Sequence, residues 1–305
     1  MKSKHFSTIL RDILFPLFPM LLWGSLFPMI KIGYAACNID TGCIPDIIMF
    51  AALRFTVCGV LVTALGLLRR ETLAAPHHST ILWIILMGLF SIVLHYAFTY
   101  VGLTMTDSSK TALLKQVGVL IYICTAFLFI RDEKLSLWKI AGGIIGFVGI
   151  ILLNLSGGTV TFTVGDVLIL LASVCTVISG VMSARLVQSK ENSPILITGI
   201  SQLTGGLILL AAAILMGGRL PDINPASVLA FGYICAASIG GYISWTYILR
   251  HHSLSKLYII KFAEPLFACI LGAILLGEDI FRIEFLLAFV HICTGILLGN
   301  HQKEA

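Results

Sequence analysis

The sequence predicts an all-α integral membrane protein with ten transmembrane helices in two inverted five-helix repeats. Three observations predict this fold: the composition, ten long apolar segments and an internal repeat. Of the 305 residues, 58% are hydrophobic and only 11% are charged, against about 25% charged residues in a soluble domain. The mean hydropathy is +1.00. These values exclude a soluble globular domain and a disordered chain, and eight cysteines are too few for a secreted disulfide scaffold.

Uninterrupted apolar runs indicate helices, because the strands of a membrane barrel would alternate apolar and polar residues. A helical span needs about 20 apolar residues, and the chain contains ten such segments with short connections. They cover residues 14–36, 45–68, 80–103, 108–130, 136–154, 165–187, 194–217, 226–249, 256–277 and 283–300. The connections leave no room for a separate soluble domain, so we divide the chain into two repeats, 1–155 and 156–305.

The Lys and Arg residues set the orientation in the membrane. With both termini in the cytoplasm, twelve of them flank the inner face, and only Arg219 and Arg282 flank the outer face. We therefore expect a multi-pass protein of the cell membrane with cytoplasmic termini. No nucleic-acid-binding module is recognisable, so the net charge of +5 reflects topology and we expect no nucleic-acid partner. Cys37 and Cys43 flank a short outer connection, either as a disulfide or as free thiols.

An internal repeat emerges when the chain is shifted by 146 residues. Residues 95–154 then lie over residues 241–300 without a gap, with ten identical pairs. Lys115 over Lys261 is an informative pair, since Leu and Ile matches mean little in apolar sequence, and Arg54 falls near Gln202 at an offset of 148. Five spans per copy is an odd number, so the second copy starts on the opposite side of the membrane and the copies must be inverted. Inverted repeats are typical of secondary transporters, with the substrate at the repeat interface.

Short motifs follow one another in a fixed order along the chain. They are Trp23-Gly24-Ser25-Leu26-Phe27 with Lys31, Ala52-Leu53-Arg54-Phe55, the glycines Gly142, Gly143, Gly146 and Gly149, and Glu264-Pro265 followed by Gly277-Glu278. In this order and spacing the sequence resembles the drug/metabolite transporter superfamily, in particular its EamA-type members of ten spans. The resemblance implies a central cavity lined by helices 1–4 and 6–9, peripheral helices 5 and 10, and export or exchange of small metabolites. Gly118 and Val119 stand where the second repeat has Glu264 and Pro265, so the two halves are not chemically equivalent.

Ionisable residues within the spans are the first candidates for a substrate site, because each costs several kcal/mol in lipid unless it faces water or a partner. Lys31, Arg54, His95 and Lys115 fall at similar depth in the outer halves of four helices. Together they predict an electropositive outer vestibule that attracts a small anion. A purely structural role remains the alternative for Lys31, Arg54 and His95.

Lys261 and Glu264 lie three residues apart in the inner half of helix 9 and share a helix face. They either form an ion pair that closes the inner side or grip a zwitterion together, with a structural role for Glu264 as the alternative. The aromatic residues that can wall a cavity are Trp23, Tyr96, Tyr122, Tyr242 and Trp245. The residues that can bend or loosen a helix during gating are Pro28, Gly240, Gly241 and Pro265.

These features predict a secondary transporter, an exporter or exchanger, that moves a small organic metabolite by alternating access. We expect an anionic or zwitterionic substrate, best an amino acid or another carboxylate. Transport of phosphorylated metabolites and flipping of a lipid-linked substrate are the alternatives. An intramembrane enzyme fits less well, because basic residues occupy the depth where it needs a nucleophile or a carboxylate cluster. No hydrolase, nucleotide or metal motif is present, so we expect no catalytic residue, metal or cofactor, and a monomer or homodimer in the bilayer.

Overall fold

The structure is a computed structural model that describes residues 14–73, 78–103, 105, 108–130, 134, 136–153, 162–189, 191–252, 254–277 and 283–300. The described chain forms the ten predicted helices, and the all-α fold is confirmed. In chain order they are α1 (Phe15–Ala36), α2 (Ile44–Leu68), α3 (His78–Gly88, π-helical Leu89–Leu94 and His95–Leu103), α4 (Ser108–Phe129), α5 (Leu137–Leu153), α6 (Val164–Gln188), α7 (Pro194–Leu215), α8 (Pro225–Leu249), α9 (Leu254–Ile260 and Ala263–Leu276) and α10 (Ile283–Gly299).

Seven of these helices are long and apolar enough to cross a membrane by themselves: α1, α2, α3, α6, α7, α8 and α9. The other three, α4, α5 and α10, carry shorter apolar stretches at 114–129, 137–152 and 283–299. The predicted boundary between the repeats, at residues 155 and 156, lies outside the described residues.

The packing of the helices has an approximate two-fold symmetry that exchanges the repeats. Helix α1 packs against α8 and α9, and in the same way α6 packs against α3 and α4. Helix α2 packs extensively against α7, and α5 packs extensively against α10. The two-fold symmetry maps each of these two pairs onto itself. Each helix n of the first repeat therefore occupies the place of helix n+5 in the second.

The contacts between connections show that the two repeats are inverted. We call the end of the molecule that holds the α1–α2 connection the first end, and the opposite end the second end. At the first end, Asn38 in the α1–α2 connection donates a hydrogen bond to Asp222 in the α7–α8 connection, with 2.8 Å between Nδ2 and Oδ2. The symmetry that exchanges the repeats maps these two connections onto the α6–α7 and α2–α3 connections. There the Ser193 N–H donates a hydrogen bond to the Thr72 carbonyl at 2.9 Å. The α6–α7 and α2–α3 connections meet at the second end. The symmetry that exchanges the repeats therefore also interchanges the two ends, so the repeats are inverted.

Glycines allow the two self-paired helix contacts to be close. In the α2–α7 contact, a Cβ added to Gly59 would overlap the backbone nitrogen of Leu203. In the α5–α10 contact, a Cβ on Gly142 would lie 2.6 Å from the carbonyl oxygen of Gly295. The glycine-rich fifth helix thus packs inside the molecule against α10, through small residues that let two backbones approach.

We expect Gly59→Ala to destabilise the protein by about 1–3 kcal/mol, because overpacking a close helix contact forces backbone shifts. Gly232→Ala is the matched control, since Gly232 lies in α8 with no atom within 4 Å of an added Cβ. The midpoint of thermal unfolding in detergent measures both. Equal midpoints for the two variants would show that the α2–α7 contact is not as close as described.

Candidate functional site

Helix α9 is broken at Lys261, between its two segments. Its first segment ends at Ile260 and its second begins at Ala263. Pro265 explains the break, because proline has no N–H to donate to the carbonyl four residues earlier, and its ring clashes with that carbonyl. The Lys261 carbonyl instead accepts a hydrogen bond from the Glu264 N–H at 3.0 Å. Val119 stands at the equivalent place in α4, and that helix runs unbroken.

Three aromatic rings surround the Lys261 ammonium. Its Nζ lies 5.2 Å from the ring centroid of Trp23 and 5.4 Å from those of Trp245 and Tyr258. These distances are within the range of cation–π attraction, which is stronger when the cation is desolvated. We call these three rings the aromatic box (Trp23, Trp245 and Tyr258). The aromatic box therefore surrounds a positive charge at the break of α9, at the interface between the repeats.

The box is supported from the first repeat and from α6. Tyr258 stacks on Tyr122 of α4 with ring centroids 4.2 Å apart, and its hydroxyl donates to the Thr176 carbonyl at 2.9 Å. Gly180 of α6 leaves room for this phenol, because a Cβ there would overlap the hydroxyl oxygen. One wall of the aromatic box is thus held in place by three helices, α4, α6 and α9.

Lys115 and Glu264 are close enough to Lys261 for all three charges to interact. Within the described part of the chain, none of the three side chains forms an ion pair within 4.0 Å or a hydrogen bond. All three are partly exposed. Two ammonium groups and one carboxylate leave one positive charge, so this lysine centre (Lys115, Lys261 and Glu264) can accept a small anion.

His95 lies beside the lysine centre and directly follows the π-helical segment of α3. Its Nδ1 lies 3.2 Å from the Ala172 carbonyl and 3.0 Å from the Thr176 hydroxyl. A carbonyl only accepts, so the hydrogen is assigned to Nδ1 and a neutral ring keeps Nε2 as an acceptor. Lys115 and Lys261 both interact electrostatically with His95. A π-helical turn shifts the register of the following residues and is frequent at functional sites, and here it precedes the histidine.

Arg54 lies apart from the lysine centre, in a cluster of aromatic rings. Its Nη2 donates to the Tyr96 hydroxyl at 2.8 Å, and its guanidinium carbon lies 4.2 Å from the Phe55 ring centroid. Tyr100 and Tyr242 also interact electrostatically with it. The side chain is only 2% exposed.

Trp23 lies between the lysine centre and the Arg54 cluster. Its ring centroid is 5.4 Å from that of Tyr242 and 5.5 Å from that of Trp245. Gly241 makes room for it, since a Cβ there would lie 2.5 Å from the indole Nε1. The buried Nε1 has no hydrogen-bond acceptor within the described residues. Trp23 therefore offers an unused donor between the two clusters, within the described structure.

The remaining predicted residues lie outside these two clusters. Lys31 is exposed on α1, eight residues beyond Trp23. Pro28 is buried within α1. Helix α8 runs unbroken through Gly240 and Gly241. Cys37 and Cys43 are free thiols.

A cleft of about 510 Å³ opens between α1, α2, α7 and α8. The lining of the cleft includes Arg69, Glu71 and Arg250, so the cleft opens at the second end of the molecule. Gly240 also lines it, next to the glycine that accommodates Trp23. The cleft thus extends from the second end toward the aromatic box.

Sequence reasoning missed Tyr258 and Gln202. Tyr258 lies three residues before Lys261, so it shares a helix face with that lysine, and this spacing was a usable signal. Gln202 is 1% exposed, and neither atom of its amide has a hydrogen-bond partner in the described structure. The only signal for Gln202 was its alignment near Arg54 in the repeat.

The family model of the EamA-like transporter family matches residues 10–155 and 163–300, one copy in each repeat. The chain belongs to this family. The double match agrees with the helix packing, in which each repeat contributes five helices. Multi-pass membrane location and transporter character follow from this membership together with the apolar helices.

Two curated relatives cover nearly the whole chain. The uncharacterized inner membrane transporter YedA of Escherichia coli strain K12 is 29% identical over 303 residues, which cover 96% of this chain and 94% of YedA. An uncharacterized transporter of Archaeoglobus fulgidus is 25% identical over 294 residues, covering 93% of this chain and 96% of the relative. Both relatives are described as transporters, without a stated substrate.

A plant relative and a solved structure extend the comparison. A WAT1-related chloroplastic protein of Arabidopsis thaliana is 28% identical over 271 residues, which cover 83% of this chain and 62% of that protein. A crystal structure superposes with a TM-score of 0.77 over 95% of this chain and 96% of its own, at 19% identity. At this identity the likeness shows the fold alone.

Proposed function

We propose that this EamA-type protein is a secondary transporter, an exporter or exchanger, for a small organic carboxylate, with amino acids as the best-fitting class. The observation that carries the proposal is the lysine centre: two ammonium groups and a carboxylate, partly exposed and without ion pairs among themselves. The cost of placing such groups in a membrane indicates that they serve a ligand.

The chemistry of the lysine centre favours a monocarboxylate. Charge-assisted hydrogen bonds from Lys115 and Lys261 would each contribute about 1.5–3 kcal/mol to binding of a carboxylate. The carboxylate neutralises the one excess positive charge of the centre. The amine of an amino acid would then face Glu264, while the rings of Trp23 and Trp245 pack against an apolar side chain.

Alternating access would follow from the two inverted repeats rocking about the α2–α7 contact. In this proposal the break of α9 at Pro265 and the prolines of α1 supply bending points, and Gly241 lets Trp23 move past α8. The cleft at the second end is the route toward one side of the membrane. No residue takes a catalytic role, and we assign the repeats to residues 1–155 and 156–305.

The test is a pair of ligands that differ in one charge. A thermal-shift screen of amino acids, other carboxylates, nucleosides and phosphorylated metabolites first identifies the best carboxylate, and its amide analogue is the partner probe. We expect Lys115→Ala to weaken binding of the carboxylate by about tenfold or more and to leave the weak binding of the amide nearly unchanged. Lys134→Ala, in an exposed connection, is the control.

Equal losses for the carboxylate and the amide would mean that Lys115 serves the fold and not the anion. Preferential stabilisation by phosphorylated metabolites in the same screen would replace the carboxylate by a phosphate ester. Stabilisation by lipid-linked sugars alone would point to a flippase. Each of these results removes the amino-acid assignment.

The proposed orientation places the second end in the cytoplasm. In a cysteine-free background, Thr72→Cys at the second end should be labelled only from the cytoplasm, and Asp40→Cys at the first end only from outside. Both side chains are exposed in connections, so each reports its own side. The opposite labelling pattern would reverse the orientation.

A further inference from the structure

Arg54 is a buried cation without a negatively charged partner in the described structure. Two other described arginines have stronger acceptors: Arg219 pairs with Asp46 at 2.9 Å, and Arg185 donates to the Phe129 carbonyl at 2.9 Å. Arg54 has only the phenol oxygen of Tyr96, and its buried Nε has no acceptor. Arginine stays protonated in proteins, and an uncompensated buried charge costs several kcal/mol.

The surroundings of Arg54 leave its Nε without an acceptor in the described structure. The Phe55 ring covers one face of the guanidinium at 4.2 Å, so a ligand has to approach in the guanidinium plane, along which Nε and the Nη groups donate. The Tyr96 hydroxyl already accepts from Arg54, so its own hydrogen can turn toward a ligand. Tyr242 contributes a further phenol close enough to interact with the guanidinium.

This cluster is separate from the lysine centre. Trp23 packs edge-on against Tyr242 at 5.4 Å, and the Lys261 ammonium lies 5.2 Å from the Trp23 ring. The indole thus lies between two positively charged regions of the same pathway. We therefore expect a ligand bound at Arg54 not to displace a ligand bound at the lysines.

We propose that Arg54 and the phenols of Tyr96 and Tyr242 form a second site that binds a monovalent anion. Only 2% of Arg54 is exposed, so we expect the site to take an anion no larger than a halide or a single carboxylate group. Two sources have this chemistry: a free halide, and a carboxylate of a transported molecule. The carboxylate source rests on the proposed function, whereas the halide source is independent of it.

The experiment is an anion titration of the purified protein in detergent at constant ionic strength, with isethionate as the bulky background anion. Sodium chloride and, separately, sodium acetate replace the isethionate, and thermal stability and tryptophan fluorescence are recorded. We expect saturable stabilisation with a fluorescence change, since Trp23 borders the site. A response to chloride identifies a free halide, and a response to acetate alone identifies a carboxylate group.

Three variants locate the site. Arg54→Gln should weaken the anion response at least tenfold, and Tyr96→Phe severalfold, the second variant serving if the first does not fold. Arg185→Gln, which removes an arginine bound to a backbone carbonyl, should respond like the original protein. Lys261→Gln should retain the chloride response even where it abolishes binding of larger carboxylates.

Absence of any saturable response in the original protein would overturn the proposal. So would a response that survives in both Arg54→Gln and Tyr96→Phe, or one that Lys261→Gln abolishes, because the anion would then bind at the lysine centre. If the original protein binds none of the larger carboxylates but keeps an intact chloride response, the proposed function is contradicted and this second site stands.

Discussion

Replacing Lys261 by glutamine is expected to weaken binding of the carboxylate substrate by about ten- to hundredfold. The substitution removes one charge-assisted hydrogen bond of about 1.5–3 kcal/mol, and each 1.36 kcal/mol corresponds to a factor of ten. It also cancels the excess positive charge of the lysine centre, leaving Lys115 opposite Glu264. Binding of the best carboxylate, followed by calorimetry on purified protein, measures the effect.

Lys134→Gln provides the control for loss of a lysine, because that residue lies exposed in the α4–α5 connection. The thermal midpoint of Lys261→Gln has to remain within a few degrees of the original, which shows that the aromatic box still folds. Unchanged affinity in a folded Lys261→Gln protein would exclude this lysine from the substrate site. An equal loss of affinity for the amide analogue would show that Lys261 stabilises the broken helix and does not bind the carboxylate.

Pro265→Ala is expected to reduce transport at least tenfold while leaving the protein as stable as before or more stable. Alanine restores an N–H that can donate to the Lys261 carbonyl, so the helix can continue across the break. A continuous α9 would rotate Lys261 away from Trp23 and Trp245 and remove a bending point. Stability should not fall, because alanine is a better helix former than proline.

The readout for Pro265→Ala is uptake of the labelled carboxylate into vesicles, set against the thermal midpoint of the same protein. Pro225→Ala is the matched control, since Pro225 occupies the first turn of α8, where a missing N–H is harmless. Transport at the original rate in Pro265→Ala would show that the break is not needed for movement of the substrate.

The sequence predicted the fold well because its signals are local. Twenty apolar residues in a row identify a span whatever surrounds them, and an odd number of spans per repeat forces inversion. The sequence did not predict the π-helical segment inside α3 that precedes His95. Nothing in the order of apolar residues distinguishes a π turn from an α turn.

The relation between the two lysines was harder to predict than the lysines themselves. Counting along the helices placed Lys115 in the outer half and Lys261 in the inner half, yet both interact with Glu264. Residues related by a two-fold axis in the membrane plane are displaced to opposite sides of the midplane, and near the axis they remain neighbours. Depth alone therefore does not separate them.

Arg54 illustrates the opposite case. It shares a predicted depth with Lys115, but Trp23 lies between its cluster and the lysine centre. Lateral position depends on which face of each helix is buried, and tertiary packing decides that in a helix that is apolar on all sides. Gln202 escaped prediction for the same reason.

The most direct test of the central claim is an experimental structure of the protein with its best carboxylate bound, in a lipid nanodisc. The account predicts density for the carboxylate group within hydrogen-bonding distance of Nζ of both Lys115 and Lys261, with the rest of the ligand against Trp23 and Trp245. A ligand found on the lipid-facing surface, or held between the repeats without contact to either lysine, would contradict it.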